Sequence, residues 1–233
     1  MNWQTLADEL FPEGHELRLR ACVLTGSAQV RGHTVSVIGT TDHTPIGVDT
    51  ALAQAQAVLQ TVREHPGRAL VLLVDTAGQR LRRRDEMLGI NSYMAHLGKC
   101  LELARQRGHR IVALVYDQAL SGGFITSGMM ADACYALPDA VIRVMALPAM
   151  ARITRVSEAR LQELARGNPV FAPGPENYER MGGIAAIWRG ALAEQLAAAL
   201  AQTATADTRM QQGSERGGRR RAQQVAAAVL AQH

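Results

Sequence analysis

A chain of 233 residues that is 47% hydrophobic and 20% charged can bury a full core, which excludes a disordered chain and a disulfide-dependent miniprotein. Much of the basic excess behind the net charge of +4 lies in two clusters, Arg80, Arg82, Arg83 and Arg84, and Arg216, Arg219, Arg220 and Arg221, with no interleaved aromatic rings and no zinc-finger or helix-turn-helix signature, so nucleic acid is not the expected partner. No apolar run reaches the ~18 residues that span a bilayer, no signal peptide opens the chain, and Cys22, Cys100 and Cys134 show no metal-ligand spacing, so a cytoplasmic protein without a membrane contact or metal site is expected.

Residues 1–16 read as a short helix and a loop, broken by Pro12 and Gly14. Strands over 20–30 and 33–39 flank Arg31-Gly32 and predict a hairpin. After a loop containing Pro45 and Gly47, Asp49 is placed to cap a helix running to Glu64, with Leu52, Ala55, Leu59 and Val62 on its buried face. His65-Pro66-Gly67 ends it. The run 69–74 (ALVLLV) has no polar alternation, which suits a strand covered on both faces. A long helix over 85–107 is expected next, with Met87, Ile90, Met94, Leu97, Leu101 and Ala104 on one face and Gly108 as its stop. Residues 111–115 (IVALV) form a second apolar strand, and Gly122-Gly123 opens a helix to about 131.

Short strands over 133–136 and 141–145 follow, divided by Pro138. The remainder reads as a turn or helix at Pro148, a helix over 157–165, a loop over 167–175 and a short helix over 176–182. A strand or turn over 183–188 and an alanine-rich helix over 190–202 come next. Residues 203–217 are polar and expected to be flexible. A last helix, 218–231, carries Val225, Val229 and Leu230 on one face. The element order predicts one α/β domain over 1–202, then a flexible polar segment and C-terminal helix over 203–233.

Two strand exits carry the chemistry. Gly78 lies just beyond the first apolar strand, at the carboxyl edge where α/β sheets bind ligands. Asp75 is placed to shape that loop, and Gln79 offers a side-chain donor. At the second exit, Ser121-Gly122-Gly123 opens a helix whose first N–H groups lack intrahelical partners. Alone, each glycine reads equally as a turn or packing residue. Together, they place backbone donors where two exits can converge on one oxygen, as an oxyanion hole requires. Gly78, Gln79, Ser121, Gly122 and Gly123 are therefore the candidate catalytic residues. Ser121 lacks a G-x-S-x-G frame and His96 and His109 have no evident orienting acid, which disfavours a serine hydrolase. No G-x-G-x-x-G follows the first strand. Tyr116 and Ser121 stand near the right strand end for proton donation. Arg82, Arg83 and Arg84 read either as a solvated face or as a contact for an anionic carrier or phosphate.

The loop Asp75-Thr76-Ala77-Gly78 is followed by Ser121-Gly122-Gly123-Phe124, then Ala131-Asp132-Ala133, then Leu137-Pro138-Asp139-Ala140-Val141-Ile142-Arg143-Val144-Met145. This succession resembles the carboxyltransferase branch of the crotonase superfamily, and within it the malonate decarboxylase gamma subunits. Ala77 departs from the usual proline of the first loop, and Ser121 stands where an aromatic residue often precedes Gly-Gly. The resemblance implies a crotonase-like spiral of β-β-α units and a homologous beta subunit as partner. It also implies a malonyl thioester borne on an acyl carrier protein through a CoA-derived phosphoribosyl-dephospho-CoA arm, with no cofactor bound directly. The implied reaction is biotin-independent decarboxylation to the acetyl thioester. The alternatives are a scaffold subunit that docks the carrier, or a carboxyltransferase subunit that passes carbon dioxide to biotin.

Overall fold

The computed structural model describes residues 1–145, 147–166, 174–202, 206–218 and 220–231. The expected α/β class forms around a mixed sheet of eight strands. β1 (Arg18–Arg20), β2 (Val23–Val30) and β3 (His33–Thr40) are antiparallel neighbours. β4 (Leu70–Thr76), β5 (Ile111–Leu120), β6 (Ala133–Ala136) and β8 (Ala186–Ile187) extend the sheet in parallel, in the order β1-β2-β3-β4-β5-β6-β8. β7 (Val141–Arg143) pairs with the far end of β5 instead.

Each parallel strand is added on the same side as the chain advances. Right-handed crossovers then put their helices on one face. α2 (Val48–Glu64), α4 (Ile90–Gln106) and α5 (Ser121–Ser127) meet Leu70, Leu72 and Val74 of β4 there. The opposite face, with Val71 and Leu73, is covered by α1 (Trp3–Leu10) and α9 (Leu192–Ala201). Burial on both faces explains why β4 carries no polar alternation.

Local chemistry revises several boundaries. The strand expected over 20–30 is divided at Ala21 and Cys22, both in left-handed conformation, so β1 turns back onto β2. The helix expected over 85–107 is broken at Gly89, whose φ of 74° separates α3 (Arg83–Met87) from α4. Met87 falls on the wrong side of that break and is exposed, whereas Ile90, Met94, Leu97, Leu101 and Ala104 are buried as the periodicity predicts. On α2 the buried face is Val48, Ala51, Ala55 and Val58, with Leu52 exposed. Small side chains face inward and the bulkier Leu59 and Val62 pack at its margin. The helix opened by Gly122-Gly123 stops at Ser127, not 131, and β7 stops at Arg143, not 145.

α6 (Leu147–Thr154), α7 (Glu158–Ala165) and α8 (Pro175–Arg180) follow, with the Ser157 hydroxyl accepting from Arg160 N–H at 3.3 Å to cap α7. Most of the loop expected over 167–175 lies outside the described residues. The polar stretch after α9 contains a helix, α10 (Arg209–Glu215), where sequence suggested none. Gly213 is the reason: a Cβ there would stand 2.2 Å from the Met181 carbonyl oxygen, so only glycine lets α10 lie against the turn after α8. α11 (Arg220–Leu230) leaves Val225, Val229 and Leu230 exposed. No described helix is long and apolar enough to cross a membrane.

Asp49 does not cap α2; it lies in the first turn. The cap comes from Asp85, which is fully buried and accepts the Val48 N–H at 2.9 Å and the Arg82 Nε–H at 2.8 Å. A Cβ on Gly47 would lie 2.8 Å from the same carboxylate, so the glycine makes room for it. The Val48 N–H holds the Asp85 carboxyl below its ordinary value against the opposing effect of burial, and Arg82 reinforces it. Asp85→Ala is expected to strand both donors and cost about 2 kcal/mol, a fall of roughly 4–8 °C in melting temperature. A carboxyl depressed in the folded state stabilises above its unfolded value, near 3.8, and loses that contribution as pH falls toward its folded value. The stability difference between wild type and Asp85→Asn should therefore shrink on acidification below that value, as thermal melts at graded pH will read.

Candidate active site

At the end of β4, the Thr76 hydroxyl donates to the Thr44 carbonyl at 2.7 Å and accepts the Gly78 N–H at 3.1 Å. Ile46 then forms a parallel bridge beside Gln79. Its N–H donates to Gly78 O at 2.7 Å and its carbonyl accepts Arg80 N–H at 2.8 Å. Ala77 N–H donates to His43 O at 3.2 Å. The N–H groups of Ala77, Gly78 and Arg80 are thus engaged. In a parallel bridge the middle residue's own N–H points away from its neighbour. That group belongs to Gln79, and among the described residues nothing accepts from it. The Gln79 side chain is turned elsewhere, with Nε2 donating to Glu86 Oε1 at 3.1 Å. Gly78 has a φ of 91°, which glycine alone adopts without strain.

β5 runs further than its apolar core suggests, and it is irregular. Val74 pairs with Val115, but Thr76 pairs with Ala119, so β5 bulges over 116–118. Bulges of this kind re-aim a strand end. Residues Gln118, Ala119 and Leu120 leave β6 and pair with β7. The chain then turns at Ser121, whose φ of 50° is left-handed, and its hydroxyl donates to the Val144 carbonyl. α5 begins here. The N–H groups of Gly122 and Gly123 precede its ladder, and among the described residues neither has an acceptor.

The two exits touch backbone to backbone. A Cβ on Gly123 would stand 2.8 Å from Gly78 Cα, and one on Gly78 would stand 3.0 Å from the Leu120 carbonyl oxygen. Gly122 is different, since its Cβ would meet only the terminal methyl of Met94 at 3.3 Å. Gly78, Ser121, Gly122 and Gly123 are therefore gathered in one place. Gln79 joins them through its backbone, not its side chain. The Ser121 hydroxyl is engaged by a carbonyl, and among the described residues no imidazole is its partner.

Sequence reasoning missed a polar cluster beside this site. His43 Nε2 lies 3.1 Å from Asp117 Oδ1 and 3.7 Å from Asp75 Oδ1. Asp75 also accepts the N–H groups of His43 at 2.9 Å and Gln118 at 3.3 Å, which fulfils its expected loop-shaping role. Burial raises the Asp75 carboxyl above its ordinary value, opposed by the His43 contacts. One atom from each of the three side chains lies within 4.8 Å of the others, close enough to share a cation. Separations of 32 and 74 residues hid the cluster. The one available signal was a pair of aspartates at the ends of adjacent apolar strands. Tyr116 donates its hydroxyl to the Thr40 carbonyl at 2.9 Å, and burial raises its phenol. It is not poised to protonate a ligand.

The first arginine cluster is largely internal wiring. Arg82 is held by Asp85, and Arg84 grips both oxygens of Asp49 at 2.6 and 3.1 Å. Arg83 is exposed and has no ion-pair partner among the described residues. In the second cluster, Arg216 donates to the carbonyls of Glu179, Ile184 and Ala185. Arg219 lies outside the described residues.

Comparison with known proteins places this geometry. Residues 41–233 match the family described as malonate decarboxylase gamma subunit. A malonyl-S-ACP:biotin-protein carboxyltransferase of Malonomonas rubra is 36% identical over 148 residues, covering 60% of this chain and 51% of that protein. The chain thus spans about half the length of that curated relative. Among solved structures, a Pseudomonas malonate decarboxylase hetero-tetramer in complex with coenzyme A aligns over 96% of this chain and 97% of its own, with a TM-score of 0.76 and 23% identity. A Pseudomonas MdcD-MdcE hetero-dimer aligns over 97% of each chain, with a TM-score of 0.74 and 24% identity. Transcarboxylase 12S aligns over 88% of this chain and 43% of its own, with a TM-score of 0.74 and 19% identity. At these identities the structures establish the carboxyltransferase-type fold. The family match spans most of the chain, including both strand exits, and the chain belongs to the malonate decarboxylase gamma subunit family.

Proposed function

We propose that this chain works with a homologous beta subunit to decarboxylate a malonyl thioester, carried on an acyl carrier protein by a CoA-derived phosphoribosyl-dephospho-CoA arm. Its family supports this reading. So do the solved relatives of similar fold, which are malonate decarboxylase assemblies described with coenzyme A and with malonate. One observation carries it: the backbone contact of Gly123 with Gly78 brings together two exits whose Gln79, Gly122 and Gly123 N–H groups have no acceptor among the described residues.

The chemistry needs such donors. As the bond to the departing carboxylate breaks, its electron pair moves through the α-carbon onto the thioester oxygen. An enolate forms and carbon dioxide leaves. N–H groups aimed at that oxygen bind the enolate more strongly than the neutral carbonyl, and each well-placed donor contributes roughly 3 kcal/mol. Backbone donors need no side chain, which fits an exit built from glycine. Arg83 is exposed and, unlike Arg82 and Arg84, is not held by a carboxylate among the described residues, so it can steer an acidic carrier.

Transfer of the carboxyl group to biotin is the second reading, favoured by the Malonomonas rubra relative. Carbon dioxide release from malonyl carrier by the beta–gamma complex, with and without avidin, separates the two. Release insensitive to avidin is expected. Release abolished by avidin would establish the transfer reading, and no release from a folded complex would remove both.

The two glycines should behave differently. Gly123→Ala is expected to force the exits apart and destabilise the fold by about 1–3 kcal/mol. Gly122→Val should leave the fold close to wild type but reduce turnover about 100-fold or more. Melting curves and turnover on the same preparations will read both. Undiminished turnover by folded Gly122→Val would count against this donor site.

A further inference from the structure

We propose that Arg143 is the side chain that recognises the free carboxylate of the acyl substrate. This rests on the malonyl-thioester reading above. Arg143 ends β7 and pairs in register with Leu120, the residue before the Ser121 turn. Its neighbour Val144 supplies the carbonyl that accepts the Ser121 hydroxyl. The arginine is therefore tied from both sides to the exit that presents Gly122 and Gly123. Adjacent Ile142 is wholly buried in the helix-side core, so Arg143 leaves the sheet from the other face.

Its condition sets it apart from the other internal arginines. Arg82, Arg84, Arg105 and Arg209 each hold a carboxylate, and Arg216 binds three carbonyls. Arg143 Nε is buried and has no hydrogen-bond partner, and no carboxylate stands within ion-pair distance of the guanidinium among the described residues. Nearly all buried polar groups are satisfied, and a charged donor left bare is more costly than a neutral one. The guanidinium is always charged and its fork fits a carboxylate with two parallel hydrogen bonds. A group in that state, on the strand paired with the segment that leads into Gly122-Gly123, is matched to an incoming anion.

The acyl group identifies the anion. Substrate and product share the thioester and the arm, and they differ in charge only at the malonyl carboxylate. A cation on that carboxylate favours the malonyl over the acetyl form. It acts on the ground state, because the departing carbon dioxide is neutral and the contact must weaken as the bond breaks. Losing Arg143 should therefore raise KM without lowering kcat.

The test uses the beta–gamma complex with Arg143→Met and Arg143→Lys. Arg143→Met is expected to raise KM for malonyl carrier about 10–100-fold, the range of a hydrogen bond to a charged group, with kcat unchanged or raised. Arg143→Lys should recover part of the loss, and inhibition by acetyl carrier should not change. Calorimetry with free malonate gives a readout independent of turnover: Arg143→Met should lose binding that wild type shows. Its melting temperature should not fall, since no protein partner is lost. An unchanged KM, equal malonate binding by wild type and Arg143→Met, or a loss confined to kcat would overturn the proposal. So would a weakened subunit association with KM intact, which would make Arg143 an interface residue. If wild-type complex released no carbon dioxide, the decarboxylase reading would fail, and malonate binding would still decide the role of Arg143.

Discussion

The contact between Gly78 and Gly123 is the constraint on which the rest of the site depends. Neither residue tolerates a Cβ without backbone movement, because each would press on the main chain of the other exit. That approach sets two consecutive strand-to-helix turns side by side. The Ile46 bridge turns the Gln79 N–H away from Ile46, and the β5 bulge carries Ser121 across to β7. Asp75 secures the arrangement, accepting N–H groups from the loop between β3 and α2 and from the bulge. The site is thus a property of backbone geometry, and side chains mainly hold that geometry.

Charge is organised around the same purpose. The buried Asp85 draws α3 onto the start of α2 and absorbs Arg82, while Asp49 absorbs Arg84. These pairs fix the segment that leaves the Gly78 loop. An arginine run that reads as a binding patch is therefore mostly a brace. Conversely, Arg143 occupies an ordinary position in a short strand and is the one arginine among the described residues with a buried, unmatched donor. Sequence shows where charges are, and only packing shows which are already neutralised.

Elements whose signal is local were legible in the sequence. Leu70 to Val74 and Ile111 to Val115 read as doubly covered strands because neither contains a polar residue. Ile90 to Ala104 kept helical periodicity, and glycines at both strand exits marked the place where the two exits touch. What escaped was long-range or conformational. Met87 matched the period of α4 but stands before Gly89, where a left-handed glycine restarts the helix. α10 has little apolar pattern of its own and docks through Gly213 by close backbone approach. The pairing of His43 with Asp117 and the engagement of the Gly78 N–H by Thr76 depend on how loops fold over the sheet edge. The N–H left without an acceptor at the first exit, among the described residues, is accordingly that of Gln79 and not that of Gly78.

The most direct test is a structure of the beta–gamma complex holding a non-decarboxylating malonyl thioester analogue. The account predicts the thioester oxygen within about 2.7–3.1 Å of the Gln79 nitrogen and of a Gly122 or Gly123 nitrogen. A thioester oxygen bound only by the partner subunit, with these three N–H groups facing water, would contradict it.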